Sequence, residues 1–371
     1  DLVSAKYATD ITEESGLGTF DLPAISKKLS GKMVSIGTDI SGITEAVSGS
    51  SSVKDIEDMF RLIYLVYTAP RYDSAATIAY LDKLRNYLIN EGMSPESIFY
   101  DSLIVAMYDR HPRMTPMSSI QLTKLDPKKA YEIFRSRFRS ASDFTFIIVG
   151  NFNEEVIRDL LRRYIASQPV VDKEVWVDRG VRYNSRPVVK EIKKEIENKA
   201  TVYLSYSGSF EWSRNGIILL NTLQKILDIN LNEVIREELG GSYSISASLN
   251  YVKYPVPEYN FAIYFNCDPG RRDELVNRVN RLIDSLRTYN PDQVTVQKSK
   301  EIFLKEREEV FQKNGSILNL IGSYVLNNSD LRTFVDGDKI IREITLEQIR
   351  DGFKKFFEKS PDLEFYLLPK D

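Results

Sequence analysis

His111 is the only histidine in the chain, and it limits the possible chemistry sharply. The zinc motif HxxEH needs two imidazoles one helical turn apart, so it cannot be written anywhere in this sequence. A Ser-His-Asp triad has only His111 to build on. That residue lies in DRHPRM, where the following proline disfavours helix and predicts an exposed loop, and a lone imidazole without a partner reads as a solvated loop residue. Cys267 is the only cysteine, which excludes an internal disulfide and a thiolate-based zinc site and leaves the redox compartment open. It reads as a small buried hydrophobe in a strand. Neither GxxxxGK[ST] nor GxGxxG occurs, so the glycine pair Gly240 and Gly241 is not a phosphate loop by motif. Acidic pairs such as Glu237 and Glu238 are common on helix surfaces, and nothing in their spacing supports an all-carboxylate metal site.

The residues left with chemical potential are Arg236 and Tyr243, in IREELGGSYSI. Leu220, Leu223, Leu227, Leu231 and Val234 keep a helical period that runs to Gly240, a natural position just past a helix end. Beyond the glycines, Tyr243, Ile245, Ala247, Leu249 and Tyr251 alternate with serines, as in a strand with one apolar face. The plain account makes Arg236 a cation complementing the helix dipole and Tyr243 a half-buried aromatic. The sharper account notes that a tight Gly-Gly turn brings the strand start back beside the helix end, so both polar tips could face one cleft. A guanidinium fork and a phenol hydroxyl then form a donor pair suited to a peptide carbonyl, or to the oxyanion it becomes during hydrolysis. From the residues alone both accounts stay open.

The elements that must position this pair belong to an internal repeat. Leu125–Gly150 (LDPKKAYEIFRSRFRSASDFTFIIVG) aligns without gaps on Ile344–Pro369 (ITLEQIRDGFKKFFEKSPDLEFYLLP), placing Phe134 on Phe353, Phe138 on Phe357, Asp143 on Asp362 and Phe146 on Phe365. Each copy reads as an N-capped amphipathic helix, a polar turn and an apolar strand. Gly49–Leu65 falls on Asp268–Leu286 with apolar positions largely in phase. Gln168–Pro187, rich in prolines and charge, reads as a connector. We therefore expect two homologous domains, residues 1–185 and 186–371, the second carrying Arg236 and Tyr243. Paired strands at 32–48, 201–207, 242–251 and 259–266, followed by long helices such as 97–109 and 292–312, predict an α+β fold. Each domain should be a mainly antiparallel sheet with helices packed on one face.

Composition is compatible with that plan. A chain of 371 residues is long enough for two domains with their own cores. With 50 basic and 53 acidic residues the net charge is −3, so no field favours nucleic acid as a partner. No apolar run approaches the roughly 20 residues needed to insert into a membrane, and the first thirty residues lack signal-peptide features, so a soluble chain is expected. It begins at Asp1 without methionine, and we expect a processed or truncated piece of a longer precursor from which targeting information has gone.

IREELGGSYSI with PVPEYNFAIYFNCDPGR resembles the C-terminal half of pitrilysin/insulinase-family zinc metallopeptidases, particularly the large single-chain bacterial members. ESGLGTFDLPAISKKLSGKMVSI, LVYTAPRYD, FIIVGNFNEEVIRDLLRRYIASQP and LLNTLQKILDINLNEVIREELGGSY resemble family segments in family order, so the likeness covers nearly the whole chain. The resemblance implies two similar halves, each of two α+β domains, closing like a clamshell on an unfolded peptide. The zinc lies in the N-terminal half, where the motif glutamate is the general base on the zinc-bound water. It also implies that an Arg and a Tyr seven residues apart reach the catalytic site from the C-terminal half, roles that fall on Arg236 and Tyr243 and on no others. Where a catalytic half shows its histidines, ahead of the Gly-Thr segment, this chain has Ile11, Thr12, Glu13 and Glu14.

The expected function is thus the non-catalytic C-terminal half of a zinc metalloendopeptidase, inactive alone. It carries no cofactor of its own, binds unfolded peptide and completes the site of an HxxEH-bearing half on the same precursor or a separate subunit. The alternative is a non-enzymatic peptide-binding or structural/assembly subunit of the same fold. The bacterial relatives imply the periplasm, with the cytoplasm left open.

Overall fold

A computed structural model describes residues 1–238, 240 and 244–370. The chain forms two compact units, one of Asp1–Met93 with Met117–Arg179, the other of Ser94–Pro116 with Gly180–Asp371. Ser94–Pro116, which precedes position 185 in the chain, packs with the second unit because Phe99 and Leu103 of its helix are buried against that unit's sheet.

In the first unit the helix Ala8–Ser15 buries Ala8, Ile11, Thr12 and Ser15. The two hydroxyls are tolerated in the core because each donates to a carbonyl one turn back, Thr12 Oγ1 to Ala8 O at 2.9 Å and Ser15 Oγ to Ile11 O at 2.7 Å. The helix stops at Gly16, whose φ of 91° and close approach to Phe20, 2.2 Å from the position a Cβ would take to the carbonyl oxygen, require glycine. Strands β1 (Val34–Ile40) and β2 (Glu45–Ser51) form an antiparallel hairpin. The helix Ile56–Thr68 packs on that hairpin and buries Phe60, Ile63, Val66 and Tyr67.

The second unit is built on a five-stranded sheet of β3 (Val188–Lys194), β4 (Ala200–Ser209), β5 (Ile245–Val252), β6 (Glu258–Cys267) and β7 (Leu363–Pro369). Their spatial order is β3-β7-β4-β6-β5. Only the β3–β7 pair is parallel. The helices Arg214–Leu231, Arg272–Thr288 and Leu346–Phe356 share one core with Val202, Leu204, Phe261, Ile263 and Tyr366 on the main helical face. The other face is covered at β3 and β7 by the helix Pro95–Met107, where Phe99 meets Phe365 edge-on at 6.2 Å between ring centroids. The architecture is α+β, as expected, with that one helix as an addition to the second face.

The two aligned segments share one helix. The helices Pro127–Arg137 and Leu346–Phe356 are both 11 residues long. Asp126 caps the first by accepting from Lys128 N and Lys129 N, and Thr345 with Gln348 forms a capping box on the second. Phe134 and Phe138 pack as a tilted pair with ring centroids 4.6 Å apart, and Phe353 and Phe357 likewise at 5.5 Å. The copies differ after the helix. Leu363–Pro369 is held as a strand between β3 and β4, whereas residues 144–149 form no strand among the described residues because no ladder partner flanks them. Phe144 instead packs on Tyr67 and Phe138.

Candidate functional site

The helix Arg214–Leu231 starts at Ser213, whose hydroxyl accepts from Gly216 N at 3.1 Å. One side of it, Leu220, Leu223, Ile226, Leu227 and Leu231, is completely buried. The helix then widens into a π-helical turn, Asn232–Glu238. The extra residue per turn shifts the buried stripe, so Ile235 is fully buried while Val234, the residue the regular helical period selects, is half-buried. Arg236 follows directly and is exposed. Gly240 has φ of 53°, the left-handed geometry expected just past a helix end.

Tyr243 lies outside the described residues, so its distance to Arg236 is not part of this geometry. The strand that follows has the predicted parity: Ile245 and Ala247 are buried while Ser246 and Ser248 are exposed. Its position relative to the helix is fixed by two side chains that sequence reasoning did not select. Asp228 Oδ1 accepts from Ala247 N at 2.8 Å, and Gln224 Nε2 donates to Ala247 O at 2.6 Å. Together they satisfy both peptide groups of one residue on the outer edge of β5, an edge strand. The available signal was a Gln and an Asp four residues apart, each directly following a member of the apolar stripe, Leu223 and Leu227.

The other singled-out residues have structural surroundings. His111, expected in an exposed loop, is half-buried; its Nδ1 accepts from Arg113 N at 3.2 Å and caps a short turn, Pro112–Met114. That turn follows two left-handed residues, Asp109 and Arg110. Cys267 ends β6 and is buried; burial, and then the neighbouring Asp268 carboxylate, pushes its thiol up to about 11, so it stays protonated at neutral pH. Ile11 and Thr12 are core residues, and Glu13 Oε1 accepts from both N and Oγ1 of Thr38 at 2.7 Å. Among the described residues no group of three or more His, Cys, Asp or Glu side chains is placed to hold a metal ion.

Residues 125–303 match the model of the peptidase M16 inactive domain. The chain is homologous to the probable zinc protease PqqL of Escherichia coli, 23% identical over 370 residues, 96% of this chain and 38% of that protein. The crystal structure of the periplasmic protease PqqL from Escherichia coli superposes with a TM-score of 0.83 at 19% identity, covering all of this chain and 42% of that one. A peptidase M16 inactive domain from Pseudomonas fluorescens superposes with a TM-score of 0.82 at 14% identity, over 99% of this chain and 88% of its own. The chain therefore has the fold of the M16 inactive halves and spans less than half the length of the PqqL proteins.

Proposed function

We propose that this chain, which belongs to the M16 peptidases and fits the C-terminal half of an M16 metallopeptidase, binds unfolded peptide and completes the active site of a zinc-bearing half. The observation that carries the reading is the exposed Arg236 at the end of a helix whose other face is core. A side chain so placed is rigidly based yet free to reach a partner. Arg236 and Tyr243 donate to the scissile carbonyl oxygen as it gains negative charge, the point at which a fixed donor stabilises the transition state more than the ground state. A zinc ion bound in the other half would polarise the attacking water. This chain orients the carbonyl. Asp228 and Gln224 act as positioning residues, since they tie the strand after Tyr243 to the helix before Arg236.

The two homologous copies, residues 1–185 and 186–371, belong to the same reading, as does a periplasmic location, taken from the description of the Escherichia coli protein as a periplasmic protease. No helix among the described residues is long and apolar enough to cross a membrane.

The test is to mix this chain with its zinc-bearing half and follow cleavage of a quenched fluorescent peptide, comparing wild type with Arg236→Ala and Tyr243→Phe. Activity confined to the mixture, falling about a hundredfold in either variant with zinc still bound, is the expected result. If the halves associate and neither substitution changes the rate, the chain is a binding or assembly subunit instead.

A further inference from the structure

The first unit contains a cavity of about 250 Å³ that has no part in the Arg236 site. Leu17, Leu22, Ile25, Ile36, Leu62 and Phe134 are among the apolar residues of its wall. Most of the polar side chains in the lining already have partners. Thr12 Oγ1 donates to Ala8 O, Ser26 Oγ donates to Leu22 O at 3.0 Å, and the Thr38 hydroxyl and amide both donate to Glu13 Oε1. What the cavity offers a guest is therefore apolar surface, and its volume suits a large aromatic or branched aliphatic group. The helix Leu22–Lys28 lies over it and buries none of its own residues, so filling the cavity would add contacts that the unit lacks.

The cavity runs beside the outer edge of β1. Ser52 N donates to Met33 O and Ser41 N to Thr44 O, which places the odd-numbered residues of β1 in hydrogen-bonded pairs with β2. The even-numbered residues Val34, Ile36 and Thr38 then direct their peptide groups away from β2. Glu13 takes the Thr38 amide. Among the described residues no hydrogen bond to the Ile36 amide or carbonyl from outside the hairpin is present. Ile36 also lines the cavity. A residue paired with Ile36 across this edge would project its side chain to the same face as Ile36 does, which is the cavity side.

From these contacts we infer that the first unit is a peptide-anchoring site: an extended segment pairs with Ile36 on the outer edge of β1 and inserts one large apolar side chain into the cavity. Glu13 on Thr38 limits the pairing to a short stretch, so the site holds a peptide at one anchor and selects for that side chain. This extends the peptide-binding role proposed above to a second place on the same chain, and it requires neither zinc nor the Arg236 site.

The test uses the chain alone and short fluorescein-labelled peptides of Ser and Gly around a central Phe, with binding read by anisotropy. The Phe peptide should bind about tenfold or more tighter than its Ala counterpart, and N-methylation of the Phe amide should remove most of that advantage. Ser26→Trp, at an exposed position whose hydroxyl bonds only its own helix, should fill the cavity and abolish the preference while leaving the circular dichroism spectrum unchanged. Equal binding of the Phe and Ala peptides overturns the inference, as does a preference that survives Ser26→Trp. If N-methylation has no effect and free N-acetyl-phenylalaninamide binds as well as the peptide, the cavity takes small apolar molecules and the strand-pairing inference is wrong. Loss of cleavage in the Arg236 variants leaves all of these readings untouched, so the two proposals fail separately.

Discussion

Asp10 is a carboxyl of the first unit whose ionisation folding disfavours. Burial pushes its carboxyl above the ordinary range, and the neighbouring Glu13 and then Glu14 add to the effect against a hydrogen bond from Tyr80. A carboxyl that holds its proton more tightly in the folded state contributes stability below its unfolded value near 4, and that contribution is lost as pH rises through the raised folded value. At neutral pH the charged form is therefore unfavourable here. Asp10→Asn should raise the melting temperature near neutral pH, and the gain should vanish as the pH is lowered to about 4; thermal unfolding across that range checks it. A gain independent of pH would show that charge is not the cause.

At the scale of elements, the joint between the Arg214–Leu231 helix and β5 depends on Asp228. Removing its carboxylate in Asp228→Ala leaves the Ala247 amide without its partner, at a cost of about 1–3 kcal/mol, measurable by urea unfolding. The same substitution should slow cleavage in the mixed halves beyond what the lost stability accounts for, because the strand after Tyr243 loses its tether; restoration by Asp228→Asn would point to geometry rather than charge. A second joint is the contact of the Leu346–Phe356 helix with the Arg214–Leu231 helix at Gly352. A Cβ there would lie 3.0 Å from Leu223 Cδ1, and Leu223 is wholly buried. Gly352→Ala should destabilise by about 1–3 kcal/mol despite its better helix propensity. The aligned position in the first unit is Ile133, half-buried against that unit's core.

For the molecule as a whole, the prediction concerns metal. The described residues offer no metal-binding group, whereas the proposed activity depends on zinc in the other half. A chelator should abolish cleavage by the mixture while leaving the melting temperature of this chain alone unchanged. A drop in that melting temperature would mean that this chain itself binds metal. The near balance of 50 basic and 53 acidic residues adds that association of the halves should owe little to long-range charge.

The sequence by itself determined the α+β class, the repeat with its paired phenylalanines, and the exclusion of an HxxEH site, because these depend on periodicity, spacing and residue counts that need no coordinates. The parity of β5 and the left-handed Gly240 were legible for the same reason, since each is a local property of the backbone. Tertiary structure decided what depends on packing partners from distant segments. The π-helical turn replaced Val234 with Ile235 in the core, and no period read from a regular helix contains that extra residue. Residues 144–149 lack the ladder that makes their counterpart a strand, because a strand is defined by neighbours and not by its own sequence. Asp228 and Gln224 look like ordinary polar residues until β5 is placed beside them, and the cavity under the Leu22–Lys28 helix is a volume left between elements, which no linear pattern encodes.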